Sequence, residues 1–211
     1  MLFKRIKNQL ARAWNYTSRN RLLTGERFVP LEQQDVPWAV PHLKRYRFAA
    51  EFSDQSSSVT DIACGVGYAS EIFTGKCRAY CGIDGNKRAI DYAREHYEGE
   101  FECMDFFSYS KTADLVVSLE TIEHIDRPLA DVLNFLVSRA NKILVGSIPY
   151  REAKGKNPFH CHSELTEENL KPLSEHGDLR VYYQEQEPGG DILEELSDKT
   201  QNLVFVLTKA H

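Results

Sequence analysis

No stretch of this 211-residue chain approaches the roughly 20 consecutive apolar residues of a membrane-spanning helix, so a transmembrane fold is not expected. Internal repeats and low-complexity tracts are also missing, which sets aside repeat arrays and disordered linkers. Cysteine is scarce and poorly spaced for cross-linking: the five thiols at 64, 77, 81, 103 and 161 form an odd set without zinc-finger spacing. That pattern argues against a disulfide scaffold and for reduced thiols in the cytoplasm, with Cys77 and Cys81 expected as buried packing residues. The first 25 residues lack acidic side chains, and their Lys and Arg residues interrupt every apolar run before a secretory signal core forms.

What is present is an ordinary globular composition, 42% hydrophobic and 11% aromatic, at a length that suits one domain with a substantial core. Charge is divided unevenly: the whole chain carries −5 and residues 1–25 carry +6, so the rest carries −11. Within the basic segment Phe3, Ile6, Leu10 and Trp14 recur at three- or four-residue steps, the apolar stripe of an amphipathic helix. Residues 1–25 therefore read as an arm, distinct from a domain at 26–211. One partner that suits the arm is an anionic membrane surface, where each Lys or Arg contributes on the order of 1 kcal/mol, giving a peripheral location at the inner membrane face. The other is protein, either the body of the same chain or the second subunit of a homodimer.

Beyond the arm, helical and strand patterns alternate as in a parallel sheet covered by helices on both faces. Helices are expected over 38–52 and 86–97, and strands over 59–62, 114–120 and 142–148. A helix over 126–140 has Asp126 as its N-cap and Pro128 in its first turn. Thr166, Glu167, Glu168 and Asn169 form a capping signal for a further short helix. Residues 179–184 and 202–208 read as two late strands that pair as an antiparallel edge hairpin.

The most informative stretch is Asp61, Ile62, Ala63, Cys64, Gly65, Val66, Gly67, Tyr68, Ala69, followed by Gly82, Ile83 and Asp84. It reads as a strand, a tight glycine turn, a helix and a second strand ending in a carboxylate. The glycines let a ligand lie against bare amides at the start of the next helix. Asp84, nineteen residues after Gly65, falls where a nucleotide ribose presents its hydroxyls, so the spacing points to a nucleoside-bearing ligand.

The order of acid, alanine and glycines resembles the first motif of the class I S-adenosylmethionine (SAM) methyltransferases. The resemblance implies an α/β, Rossmann-like fold with a seven-stranded, mostly parallel sheet and a C-terminal antiparallel edge strand. It implies SAM as cofactor, with Asp61 anchoring the methionine end, Ala63, Gly65, Gly67 and Tyr68 forming the donor turn, and Asp84 binding the ribose. A positively charged sulfonium without phosphates suits a carboxylate-rich site. The family often has glycine where this chain has Ala63 and Ala69.

Residues 101–106 look like the family's third motif, which places Asp105 at the adenine amino group and Met104 and Phe106 against the ring. Residues 121–128, after the strand ending in Glu120, match the stretch E-x-x-E-H that often follows strand 4. Residues 24–30 and 42–49 resemble the leader of a bacterial subgroup associated with surface-polysaccharide and sugar modification; Arg45 and Tyr46 there, and Glu120 at the end of strand 4, are further expected cofactor-binding residues. Asn157, Pro158, Phe159 and His160 fit the same subgroup.

Methyl transfer from a sulfonium asks the protein to align an acceptor and, for a hydroxyl, to remove a proton. Glu120, Glu123 and His124 stand at i, i+3 and i+4, so one helical turn would gather them on one side. His160 and His162 approach from the loop after strand 5. Three readings of this cluster stay open. In one, His124 or His160 is the general base, with Glu120 beside it. In another, Glu120, Glu123, His124, His160 and His162 supply ligands for Mg²⁺ or Mn²⁺, which resembles small-RNA 3′-end 2′-O-methyltransferases and some ubiquinone-pathway enzymes. In the third, these residues only cap and orient the chain.

The expected function is O-methylation of a sugar hydroxyl on a bacterial glycan or nucleotide sugar. The alternatives are metal-dependent RNA 2′-O-methylation, disfavoured by the −11 charge outside the arm, and a SAM-binding scaffold without turnover.

Overall fold

A computed structural model describes residues 28–30, 39–185 and 189–210. The basic arm at 1–25, residues 24–27 of the leader and Pro188 lie outside the described residues. Helix α1 (Ala39–Ala50) is followed by β1 (Ser58–Ile62), α2 (Ala69–Phe73), β2 (Ala79–Asp84), α3 (Lys87–His96), β3 (Glu100–Cys103), β4 (Ala113–Ser118), α4 (Leu129–Arg139) and β5 (Ala140–Pro149). The chain ends in β6 (Gly177–Glu185), β7 (Ile192–Leu193) and β8 (Thr200–Lys209). All strands join one sheet in the order β3-β2-β1-β4-β5-β8-β6-β7. The first five are mutually parallel, whereas β8 runs antiparallel to both β5 and β6.

The sheet therefore has eight strands rather than seven. The additional one, β7, is a two-residue antiparallel addition to β6, too short to leave a periodic signal. Helix α4 also starts later than its sequence suggests: Pro128 and not Asp126 is the N-cap, its carbonyl accepting from the amides of Asp131 and Val132. A residue before proline is pushed out of the helical region, so Arg127 cannot belong to the first turn. Cys77 and Cys81 are only partly buried, Cys64 is the enclosed thiol, and all five are free.

Each central strand supplies alternate side chains to two apolar layers, the pattern of a sheet covered on both faces. Val59, Leu115, Val117, Val145, Val204 and Val206 pack with α1, α2 and α3 through Ala49, Phe73, Ile90 and Ala93. Ile62, Ile83, Val116, Leu144, Ile148 and Phe205 pack against Val132, Leu133 and Leu136 of α4 and against Leu170 and Leu173. No helix of the described residues is long and apolar enough to cross a membrane. The strand order reverses between β1 and β4, and the carboxyl ends of these strands open the crevice where ligands of such sheets bind.

Candidate active site

A cleft of about 670 Å³ lies over that switch point, within the usual range for a small-molecule site. Its floor is the turn after β1. Ala63, Gly65 and Gly67 have φ of 63°, 59° and 80°, so three of five consecutive residues occupy the left-handed region. Glycine does this without strain, and Ala63 bears a Cβ penalty on the order of 1 kcal/mol. Gly67 meets a second demand, since a Cβ there would lie 2.5 Å from Phe101 and 2.6 Å from Ala93. It is the packing contact that lets the turn sit on α3 and β3. Among the turn residues, Ala63, Cys64, Gly65 and Tyr68 face the cleft, and Gly67 does not.

Asp84 ends β2 at the cleft wall and is 4% exposed. Its carboxylate accepts from the Gly65 amide at 3.1 Å and from the Asn86 amide at 2.7 Å, tying the first turn to the start of α3. Asn86 in turn caps α3 by accepting from the amides of Arg88 and Ala89. Asp105 accepts from the Phe107 amide at 2.9 Å and lines the cleft beside Phe106. Met104 lies outside the lining, although its amide bonds to the Asp84 carbonyl.

Asp61 sits beneath this floor, fully enclosed and outside the lining. Tyr80 donates to it at 2.8 Å and Tyr46, a cleft residue, at 3.3 Å. Burial pushes its pKa up to about 7, against the lowering effect of those two phenols. Arg45 is likewise buried and outside the lining: it bonds to Gln184 at 2.5 Å and approaches Glu120 at 3.5 Å.

Glu120 faces the cleft with φ of 52°, a conformation that a non-glycine residue holds only when its surroundings enforce it. Here Ser147 and Asn202 donate to its carboxylate at 3.0 and 2.8 Å. Burial pushes its pKa up, but Arg45, His42 and the Ser147 hydrogen bond outweigh that and hold the group below the ordinary carboxylate range. Glu123 goes the other way. It is fully buried, neither carboxyl oxygen accepts a hydrogen bond, and burial with the nearby Glu120 charge raises its pKa far above the usual value.

The turn at 122–124 is three residues of 3₁₀ helix, so Glu120, Glu123 and His124 do not share one face as an α-helical spacing would give. Glu123 points inward while His124 lines the cleft. The loop after β5 is stapled to this turn, with the amides of Cys161 and His162 donating to the Glu123 carbonyl at 2.7 and 3.0 Å. His124 Nδ1 bonds to the Phe159 carbonyl at 3.2 Å, which makes Nδ1 the donor and leaves the lone pair on Nε2.

His160 lies edge-on to His124 with ring centroids 4.7 Å apart. Its Nδ1 pairs with Glu152, and its Nε2 meets Asn157 Nδ2 at 2.9 Å. Because Asn157 Oδ1 already accepts from the Phe159 amide, its Nδ2 donates to His160 Nε2, and the His160 proton lies on Nδ1 toward Glu152. His162 points away, to the Arg127 carbonyl at 3.0 Å. Of the five groups grouped by spacing, three come within metal-sharing range: ligand atoms of Glu123, His124 and His160 lie within 4.8 Å of one another, whereas Glu120 and His162 stand outside that set.

Among the cleft residues that receive no role from the sequence are His42 and Phe159. His42 of α1 has its pKa lowered to about 4, chiefly by burial and then by Arg45, and is therefore neutral at physiological pH. Phe159 is 56% exposed at the cleft mouth. A solitary histidine on a helix and a phenylalanine in a turn carry no spacing that marks them.

Residues 60–137 match the family model described as a methyltransferase domain. Solved structures agree on the fold. Magnesium protoporphyrin IX methyltransferase from Synechocystis PCC 6803, with bound S-adenosylhomocysteine (SAH), aligns over 96% of this chain and 100% of its own, at 14% identity and a TM-score of 0.65. The N-methyltransferase NodS from Bradyrhizobium japonicum WM9, also with SAH, aligns over 93% and 99% at 17% identity and a TM-score of 0.64. A TehB-like SAM-dependent methyltransferase from Corynebacterium glutamicum aligns over 95% and 99% at 16% identity and a TM-score of 0.61. Among curated proteins no sequence match is found. Residues 60–137 thus carry the sequence pattern of a methyltransferase domain, and the chain around them has the fold of structures solved with SAM or SAH bound.

Proposed function

We propose that the protein transfers the methyl group of SAM to a hydroxyl of a sugar unit, on a glycan or a nucleotide sugar, in polysaccharide biosynthesis. The observation that carries this reading is His124, a cleft imidazole whose Nδ1 proton is committed to the Phe159 carbonyl, so that Nε2 is the proton-accepting atom. A hydroxyl needs such a base, and the sulfonium needs little more than alignment. His160 supports the base rather than replaces it, since Glu152 and Asn157 occupy both of its nitrogens. Glu120, held ionised by Arg45, orients the acceptor or the methionine ammonium. The exposed Phe159 ring offers a flat apolar face of the kind on which a sugar ring stacks. In the donor half Asp84 takes the ribose hydroxyls, and Asp105 with Phe106 takes the adenine.

RNA is a poorer acceptor, because the described residues that line the cleft include Asp84, Asp105 and Glu120 and neither Lys nor Arg. A scaffold without turnover would have no use for an oriented base beside an intact donor turn. A second reading draws on the orphaned Glu123 carboxyl, which with His124 and His160 would hold a divalent ion such as Mg²⁺ or Mn²⁺ to acidify the hydroxyl. The Nδ1–H bonds of both histidines to oxygen acceptors suit ligand imidazoles. Against it, His160 would have to release Asn157.

The test is calorimetric titration with SAM, with and without Mg²⁺ or Mn²⁺, alongside SAH release from a panel of nucleotide sugars by wild type and His124→Ala. Micromolar SAM binding that Asp84→Ala abolishes supports the donor site. Turnover that His124→Ala leaves intact removes the base assignment, and metal-dependent turnover lost in Glu123→Gln favours the ion.

A further inference from the structure

Asp61 lies in the middle of the donor half without touching the cleft. It is fully enclosed, and the groups that reach its carboxyl are phenols: Tyr80 at 2.8 Å on one oxygen and Tyr46 at 3.3 Å on the other. The remaining titratable groups around it are the Tyr68 phenol at the start of α2, the Cys64 thiol in the turn and the Asp84 carboxylate at the end of β2. From β1's other neighbour, β4, the residue paired with Asp61 is the apolar Val117. No ion pair reaches it among the described residues, and the buried Arg45 is directed at Glu120 and Gln184. A buried carboxylate without a cation is costly, and the ordinary response is to keep the proton. Burial accordingly holds its pKa at about 7, so the group is poised between its two forms.

SAM brings what this position lacks. Its sulfonium and ammonium enter a cleft whose floor, Ala63, Cys64 and Gly65, is continuous with Asp61, and whose wall residue Tyr46 hydrogen-bonds to Asp61 directly. SAH keeps the ammonium but has a neutral sulfur. We propose that Asp61 determines the site's preference for the cationic donor over the neutral product, ionising and releasing its proton to solvent when SAM binds and regaining it when SAH remains. This rests on the donor-site reading and adds to it a reason for product to leave.

The experiment is calorimetric titration of the full chain with SAM and with SAH at pH 6, 7 and 8, each in two buffers of different ionisation enthalpy. Proton release with SAM that exceeds that with SAH, and a SAM-over-SAH affinity ratio that rises by about tenfold from pH 6 to pH 8, are expected, the scale of one charge interaction in a partly polar interior. Asp61→Asn should flatten the ratio and remove the excess release. Tyr80→Phe, which removes one hydrogen bond to the carboxylate, should move the release profile to higher pH and serves if Asp61→Asn does not fold. Equal release for the two ligands, or release that persists unchanged in both variants, overturns the proposal. Absence of any SAM binding to the wild type would instead count against the donor site itself.

Discussion

The halves of the cleft proposed to take the donor and the acceptor are built in opposite ways. The donor half comes from a contiguous strand-turn-helix-strand unit, with Asp61 fully enclosed, Asp84 4% exposed and Gly67 wedged against Phe101 and Ala93. The acceptor half is carried by a short 3₁₀ turn and a loop stapled to it, with Phe159 56% exposed. In the donor half, packing and recognition are the same interactions, so a change that disturbs one disturbs the other. In the acceptor half they are separable: the histidines are oriented by hydrogen bonds to loop groups, while the exposed ring contributes little to the fold. Rigid donor binding paired with an adaptable acceptor surface is how one scaffold serves many acceptors.

The largest effect expected from breaking this contrast is at Gly67. Gly67→Val adds a branched side chain at φ 80° where even a Cβ overlaps Phe101. Overpacking and backbone strain together should cost roughly 4 kcal/mol or more, read as loss of soluble protein or a large fall in Tm. Next in size is the pH dependence set by Asp61. Its folded pKa of about 7 exceeds that of an unfolded aspartate, so the folded state binds the proton more tightly. Stability from this group is complete below about pH 4, falls as pH rises to about 7 and then levels, a loss on the order of 4 kcal/mol. Denaturant titrations at pH 5 and 8 should show the decline, and Asp61→Asn should lessen it.

Turning to the acceptor half, His124→Ala should lower turnover by about 10²-fold or more while calorimetry finds SAM affinity unchanged. Loss of SAM binding in that variant would place His124 in the donor half and erase the division. Phe159→Ala should leave the unfolding free energy within about 0.5 kcal/mol of wild type, as for an ordinary exposed position, and raise the acceptor KM with little change in kcat. A marked fall in stability would mean that the loop is held by the ring and not by its backbone staples.

The same contrast explains what was legible in the sequence. The strand-turn-helix-strand unit proposed to bind the donor was readable in its layout because it lies within residues 61–106 and follows from local spacing. The parallel core and late antiparallel pair were equally plain, since each strand spans several alternating residues. The acceptor half depends on partners distant in sequence: Glu120 is held by Asn202, 82 residues on, and Arg45 by Gln184, 139 residues on. Spacing grouped Glu120, Glu123 and His124 on one helical face, but a 3₁₀ turn and the left-handed φ at Glu120 separate them. Nothing local announces that Glu152 and Asn157 fix the His160 tautomer, or that Glu123 is sealed in.

The smallest effect expected concerns Ala63, where the motif that the turn resembles often has glycine. The alanine holds φ 63° and lines the cleft. Glycine would relieve the Cβ strain, on the order of 1 kcal/mol, but would give the unfolded chain more freedom at a cost of about 0.5 to 1 kcal/mol. Ala63→Gly should therefore shift Tm by only a degree or two in either direction. Its effect on SAM is the sharper measure. If the methyl only strains the turn, affinity is unchanged; if it narrows the floor beneath the donor, affinity rises. A rise without a Tm change would show that even the tightly packed half keeps one position where recognition and stability come apart.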